Sequence, residues 1–116
     1  MPVKKTQNNN YIIIIVTANS KQEAQKITQH LLNKKLIACA NIISPVTSLF
    51  HWSGKTEHAE EHLILMKSRQ DLFEKIAETV KTLHSYEIPE ILALPILAGS
   101  KAYLSWLDSC LVGKEM

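Results

Sequence analysis

The residues of this chain best equipped for chemistry gather in one stretch, His84-Ser85-Tyr86-Glu87-Ile88-Pro89-Glu90. An imidazole, a phenol and two carboxylates so close in sequence can titrate, donate hydrogen bonds or ligate a metal ion. Two readings of His84 follow. As the residue closing a helix, it can bond the last helical carbonyls and gain from the helix dipole, with Tyr86 and Pro89 shaping the turn. As an imidazole beside other polar groups, it can serve a ligand or a metal. An enzymatic arrangement would pair His84 with Glu87 or Glu90 as acid and base, but no nucleophile or oxyanion motif accompanies them.

A second group lies around Trp52-Ser53-Gly54-Lys55, a turn signal between two extended runs. If Ser53-Gly54 is a two-residue turn, His51 pairs with Thr56, and His51, His58, Glu60 and His62 share one sheet face. Strand residues two apart are separated by about 6.6 Å, so neighbouring donors can converge, whereas His58 and His62 at about 13 Å cannot. A partial metal site or a solvated face results. Glu57 and Glu61 then lie on the opposite face with Phe50 and Trp52. Glu61 and Lys67 can set local charge or form ion pairs, and the two tryptophans suit packing or interfaces. Cys39, between Ala38 and Ala40, reads as a buried thiol.

The elements that must position these groups follow from patterning. Residues 11–16 form a β-branched run suited to a central strand covered on both faces. Ser20 with Glu23 makes a capping box ahead of Ala24, Ile27, Leu31 and Leu32 at helical spacing. Extended arms over 36–51 and 57–67 form a hairpin about twice the usual strand length, whose ends should need another chain to pair with. Ser68 with Asp71 opens a second helix carrying Leu72, Phe73, Ile76, Ala77, Val80 and Leu83, and ending near His84. Residues 91–96 form a short strand, and Ser100 caps a last helix with Tyr103, Leu104, Leu107 and Leu111 inward. The order is β-α-β-β-α-β with an added C-terminal helix, the ferredoxin-like α+β pattern with two helices on one face of an antiparallel sheet.

The whole chain narrows the function classes. Its 116 residues suit one domain, read as a flexible tail at 1–9 and a ferredoxin-like domain at 10–116. Net charge is +2, with Arg69 the only arginine and no basic stripe, which excludes a nucleic-acid footprint and weakens anion clamps. A nucleic-acid-binding sheet would also want aromatics where the first strand carries aliphatics. Two distant cysteines suit a reducing compartment, and no run is long enough for a membrane span. The nucleophile-elbow, phosphate-loop, dinucleotide and zinc-protease motifs are absent.

Four blocks together resemble the CutA family of divalent-cation (copper) tolerance proteins over about residues 12–111. They are Leu36-Ile37-Ala38-Cys39-Ala40-Asn41, Trp52-Ser53-Gly54-Lys55 with Glu61 and Lys67 beyond it, the stretch from His84 to Glu90, and Tyr103-Leu104-Ser105-Trp106. The resemblance implies a cytoplasmic, non-enzymatic homotrimer with hairpins paired between subunits. It also implies a likeness to nitrogen-regulatory signalling trimers, whose intersubunit clefts hold small ligands. A cleft here would comprise Trp52, Glu61, Lys67, Tyr86 and Glu90, with His84 as the donor to copper or another divalent ion. The family's proposed copper ligands include a cysteine where this chain has Val16 and paired histidines where it has Leu83-His84. The resemblance therefore implies one surviving donor per subunit, weaker than a site with three or four. A metabolite sensor and a structural scaffold are the remaining alternatives.

Overall fold

The computed structural model describes residues 10–113. The expected tail at 1–9 and the last three residues of the expected domain lie outside the described residues. The first strand, β1, spans Tyr11–Ala18 and places Ile12, Ile14, Val16 and Ala18 in the core. Its intervening Ile13 and Ile15 are only half-buried, so the run is central in the sheet but covered by this chain on one face. Helix α1, Lys21–Asn33, begins where Ser20 Oγ accepts the Glu23 N–H at 3.1 Å. Only half of the capping box forms, because the Glu23 carboxylate turns to the Asn19 N–H and to Ser85.

Strand β2, Cys39–Trp52, and strand β3, Lys55–Arg69, form the long hairpin. Ser53 and Gly54 close it with φ of 52° and 78°, two left-handed residues in succession, matching the tight turn whose twist suits paired strands. His51 pairs with Thr56 as the turn demands. A bulge between Ile43 and Val46 sets Ser44-Pro45 against His62, at a proline that cannot donate to the ladder.

Ser68 does not open the second helix. The alternation through Ile64 and Met66 carries it into the core opposite Ile12, where burial obliges its hydroxyl to find a partner, the Leu36 carbonyl at 2.6 Å. A single 3-10 turn, Gln70–Leu72, then leads into α2, Phe73–Leu83, which has no side-chain cap. Strand β4, Ile91–Pro95, and helix α3, Lys101–Ser109, complete the chain, with Ser100 Oγ accepting the Tyr103 N–H at 3.1 Å. Leu107 and Leu111 point inward as expected, whereas Tyr103 is exposed and stacks on Trp106.

The sheet order is β2-β3-β1-β4, antiparallel throughout. With its three helices this is the α+β, ferredoxin-like β-α-β-β-α-β arrangement plus a C-terminal helix. One relationship positions the site. The pairing of β1 with β3 ends at Ala18 opposite His62, so residues 46–52 and 55–61 continue alone as a two-stranded ribbon.

Candidate functional site

Where β1 stops, the loop after α2 takes its place beside β3. That loop is anchored by His84, whose side chain is fully buried. Its Nε2 lies 2.7 Å from the Thr17 carbonyl oxygen at the end of β1, an acceptor only, so Nε2 carries the proton. Its Nδ1 accepts the Tyr86 N–H at 3.0 Å. The helix-closing reading of His84 thus needs adjustment: its backbone N–H bonds the Val80 carbonyl, while the ring fastens the loop to the sheet.

Glu23 forms the other anchor. It accepts the Ser85 N–H at 2.5 Å and the Ser85 hydroxyl at 3.0 Å, and one oxygen lies 3.7 Å from His84 Nδ1. Burial pushes its carboxyl up, but the hydrogen bonds from Ser85 and Asn19 outweigh that, leaving it below its ordinary 4.5. Glu87 and Glu90 are not among the partners of His84, so the acid-base pairing weighed from sequence does not form.

From these anchors Tyr86 reaches the ribbon. Its hydroxyl donates to Glu61 Oε2 at 2.7 Å, and its ring lies 4.7 Å from that of His84. Burial first, and then the Glu61 carboxylate, push the phenol up to about 12. Between ribbon and loop opens a cleft of about 810 Å³ lined by Trp52, Glu61, Tyr86 and Glu90 among others. Four of the five ligand residues expected from sequence are thus brought together. Lys67 is not: it sits on the same sheet face as Glu61 but far down β3, paired with Cys39, and its Nζ donates to Asn41 Oδ1.

The donors do not fit a metal ion within one chain. Among the described residues no three His, Cys, Asp or Glu side chains converge, and both nitrogens of His84 are engaged. His51, His58, Glu60 and His62 do share a face, but His62 Nδ1 is spent on Ser44 Oγ at 2.7 Å. Cys39 is half-buried rather than enclosed, its Sγ 3.5 Å from the Tyr103 hydroxyl.

Residues missed from sequence are Thr17 and, beyond its capping role, Glu23. Thr17 contributes through a backbone carbonyl, which no side-chain pattern reveals. The capping role of Glu23 was visible, but its bond to Ser85, 62 positions away, was not.

The model of the CutA1 divalent ion tolerance protein family matches residues 12–110. The chain belongs to this family. It is 45% identical over 95 residues to the divalent-cation tolerance protein CutA of Archaeoglobus fulgidus, covering 82% of this chain and 92% of that one. The solved structure described as the periplasmic divalent cation tolerance protein CutA of that organism superposes with a TM-score of 0.84 at 43% identity, over 86% of this chain and 97% of the other. The chloroplastic protein CutA of Arabidopsis thaliana is 38% identical over 98 residues, 84% of this chain, which spans only 54% of that longer relative. The family is thus named for tolerance of divalent ions, not for a catalysed reaction. Names of CutA relatives invoke both periplasm and chloroplast, and among the described residues no helix is long and apolar enough to cross a membrane.

Proposed function

We propose that this CutA chain works as a non-enzymatic homotrimer that holds a small ligand in the cleft between ribbon and loop, as part of a cellular response to metal ions. The observation carrying this reading is the cleft itself, a volume of about 810 Å³ within the range of small-molecule sites. Trp52, Glu61, Tyr86 and Glu90 line it, and the loop that forms one wall is held at both His84 and Ser85.

Assembly is supported by what the chain leaves unpaired. A two-stranded ribbon is marginal alone in water, and this one carries exposed Leu49, Phe50 and Trp52. On the sheet face opposite the helices, Ile43, Leu92 and Leu94 are exposed beside half-buried Ile13 and Ile15, an apolar surface of the kind that associates. Pairing in a trimer would cover ribbon and face, and is the route by which Lys67 of a neighbouring copy could reach the cleft. Two free cysteines suit a reducing compartment such as the cytoplasm.

Native mass spectrometry of the protein purified from its own cells tests the reading. The expected spectrum is a trimer carrying a co-purified small molecule that Trp52→Ala removes without dispersing the assembly. A monomer, or a trimer whose bound mass is indifferent to Trp52 and Glu90, would overturn it.

A further inference from the structure

Helix α1 carries a polar group that its own chain leaves unmet. Thr28 is only 9% exposed, and its hydroxyl has no hydrogen-bond partner among the described residues. The threonines of α2 meet the same need locally: Thr79 Oγ1 donates to the Lys75 carbonyl at 2.8 Å and Thr82 Oγ1 to the Glu78 carbonyl at 3.0 Å, each one turn back. Thr28 makes no such bond to Ala24. A buried hydroxyl left in this state is costly, and a partner from outside the chain removes the cost.

Thr28 lines a groove of about 520 Å³ between α1 and the edge strand β2, a volume within the range of small-molecule sites. Thr28 and half-buried Ile42 form its floor, and exposed Gln22, Gln25, Lys26 and Gln29 form its rim. Positions 22, 25, 26 and 29 recur every three or four residues, which aligns them along one face of α1. The groove shares no residue with the cleft between ribbon and loop, and its chemistry differs. No carboxylate lines it, Lys26 brings an ammonium, and the acid within this stretch of helix, Glu23, is turned to Asn19 and Ser85. Glutamine amides and the Thr28 hydroxyl add N–H and O–H donors.

We infer that this groove binds a small oxyanion, a phosphate or a carboxylate, one of whose oxygens accepts the Thr28 hydroxyl while Lys26 meets its charge. No arginine fork is needed, because an ammonium serves as a point charge and the hydroxyl supplies direction. A cation is disfavoured by Lys26, and an apolar ligand would leave the hydroxyl unmet.

Titration of the ¹⁵N-labelled full chain with phosphate, succinate and chloride at matched ionic strength tests this, followed by NMR at the Thr28 amide and the Gln22 and Gln25 side-chain amides. Both oxyanions should give saturable shifts, and chloride should not. Thr28→Val keeps the shape of the side chain and removes an unmet hydroxyl, so it should melt no lower than the native protein. It should weaken the oxyanion at least about tenfold, the worth of a hydrogen bond to a charged group. Should Thr28→Val fail to fold, Lys26→Gln at its exposed position should weaken the oxyanion several-fold, and an unchanged affinity there overturns the proposal. Tighter phosphate or tighter succinate names the source of the oxyanion, and either supports the class. Shifts that grow linearly in all three salts, or binding indifferent to Thr28→Val, overturn it. A Thr28→Val assembly that disperses in native mass spectrometry also overturns it, since a neighbouring copy would then be the partner of the hydroxyl.

Discussion

Tyr86 and Glu61 join the two walls of the cleft through a 2.7 Å hydrogen bond from phenol to carboxylate. Among the described residues it is the one hydrogen bond made by the Glu61 side chain, which is 8% exposed, so removing the donor costs more than the bond itself is worth. Tyr86→Phe should destabilise the protein by about 1–3 kcal/mol, the penalty of leaving a buried acceptor unmet. Thermal unfolding checks this, and the loss should largely vanish in a Glu61→Leu background, where no acceptor remains to be orphaned.

The same pair sets an alkaline limit. Burial and then Glu61 raise the phenol from 10.0 to about 12. Its folded value exceeds its unfolded one, so the proton is held more firmly in the folded state. The associated stability is therefore fully present below pH 10 and disappears as pH rises through about 12. Spectrophotometric titration should find a late-ionising tyrosine component near pH 12 that is missing from Tyr86→Phe.

Glu23 gives the opposite limit at acid pH. Its carboxyl lies below its ordinary 4.5 in the folded protein, so the stability it adds is present above that value and lost as pH falls through the lower folded one. Glu23→Gln should be less stable than the native protein at neutral pH, and the two melting temperatures should converge under acid. A constant gap across the whole range would mean that Glu23 acts through its shape and not its charge.

His84 is the residue on which sequence and structure differ most usefully. Its place at the end of α2 was legible, because the apolar stripe stops there. The destination of its ring was not, since Thr17 lies 67 positions away and takes part through its backbone. The same distinction runs through the fold. The Ser53-Gly54 turn fixed the register of His51 with Thr56, and hence which side chains share the face of Glu61, because a two-residue turn leaves one pairing open. Ser68 misled because a serine three residues before an aspartate resembles a helix cap, whereas its setting is decided by alternation from Ile64 and by contact with Leu36, both non-local to that motif. With both ring nitrogens committed, His84→Gln should lower stability by about 1–3 kcal/mol through two lost hydrogen bonds, yet leave copper affinity in a titration unchanged. A large fall in copper affinity with unchanged stability would restore the metal-donor role.

Arg69 holds the far end of the sheet in an arrangement that depends on its shape as well as its charge. It is 2% exposed, and its guanidinium bonds Asp71 at 2.7 Å, Asp108 of α3 at 3.0 Å and the Val112 carbonyl at 2.8 Å. The carboxylates are about two-fifths exposed, so water can reach them when the arginine is removed, whereas the Val112 carbonyl would lose the N–H that Arg69 donates to it. Lysine cannot replace the planar fork that reaches three acceptors in different directions. Arg69→Lys should therefore destabilise by about 2–4 kcal/mol, near the cost of breaking a buried pair. The loss should appear first at the C-terminal helix, which Arg69 ties to β3 through Asp108. Hydrogen exchange should quicken in α3 amides while those of β1, held between β3 and β4, keep their protection. Uniform quickening across both elements would mean that α3 and the sheet unfold as one unit and that Arg69 is not a local tether.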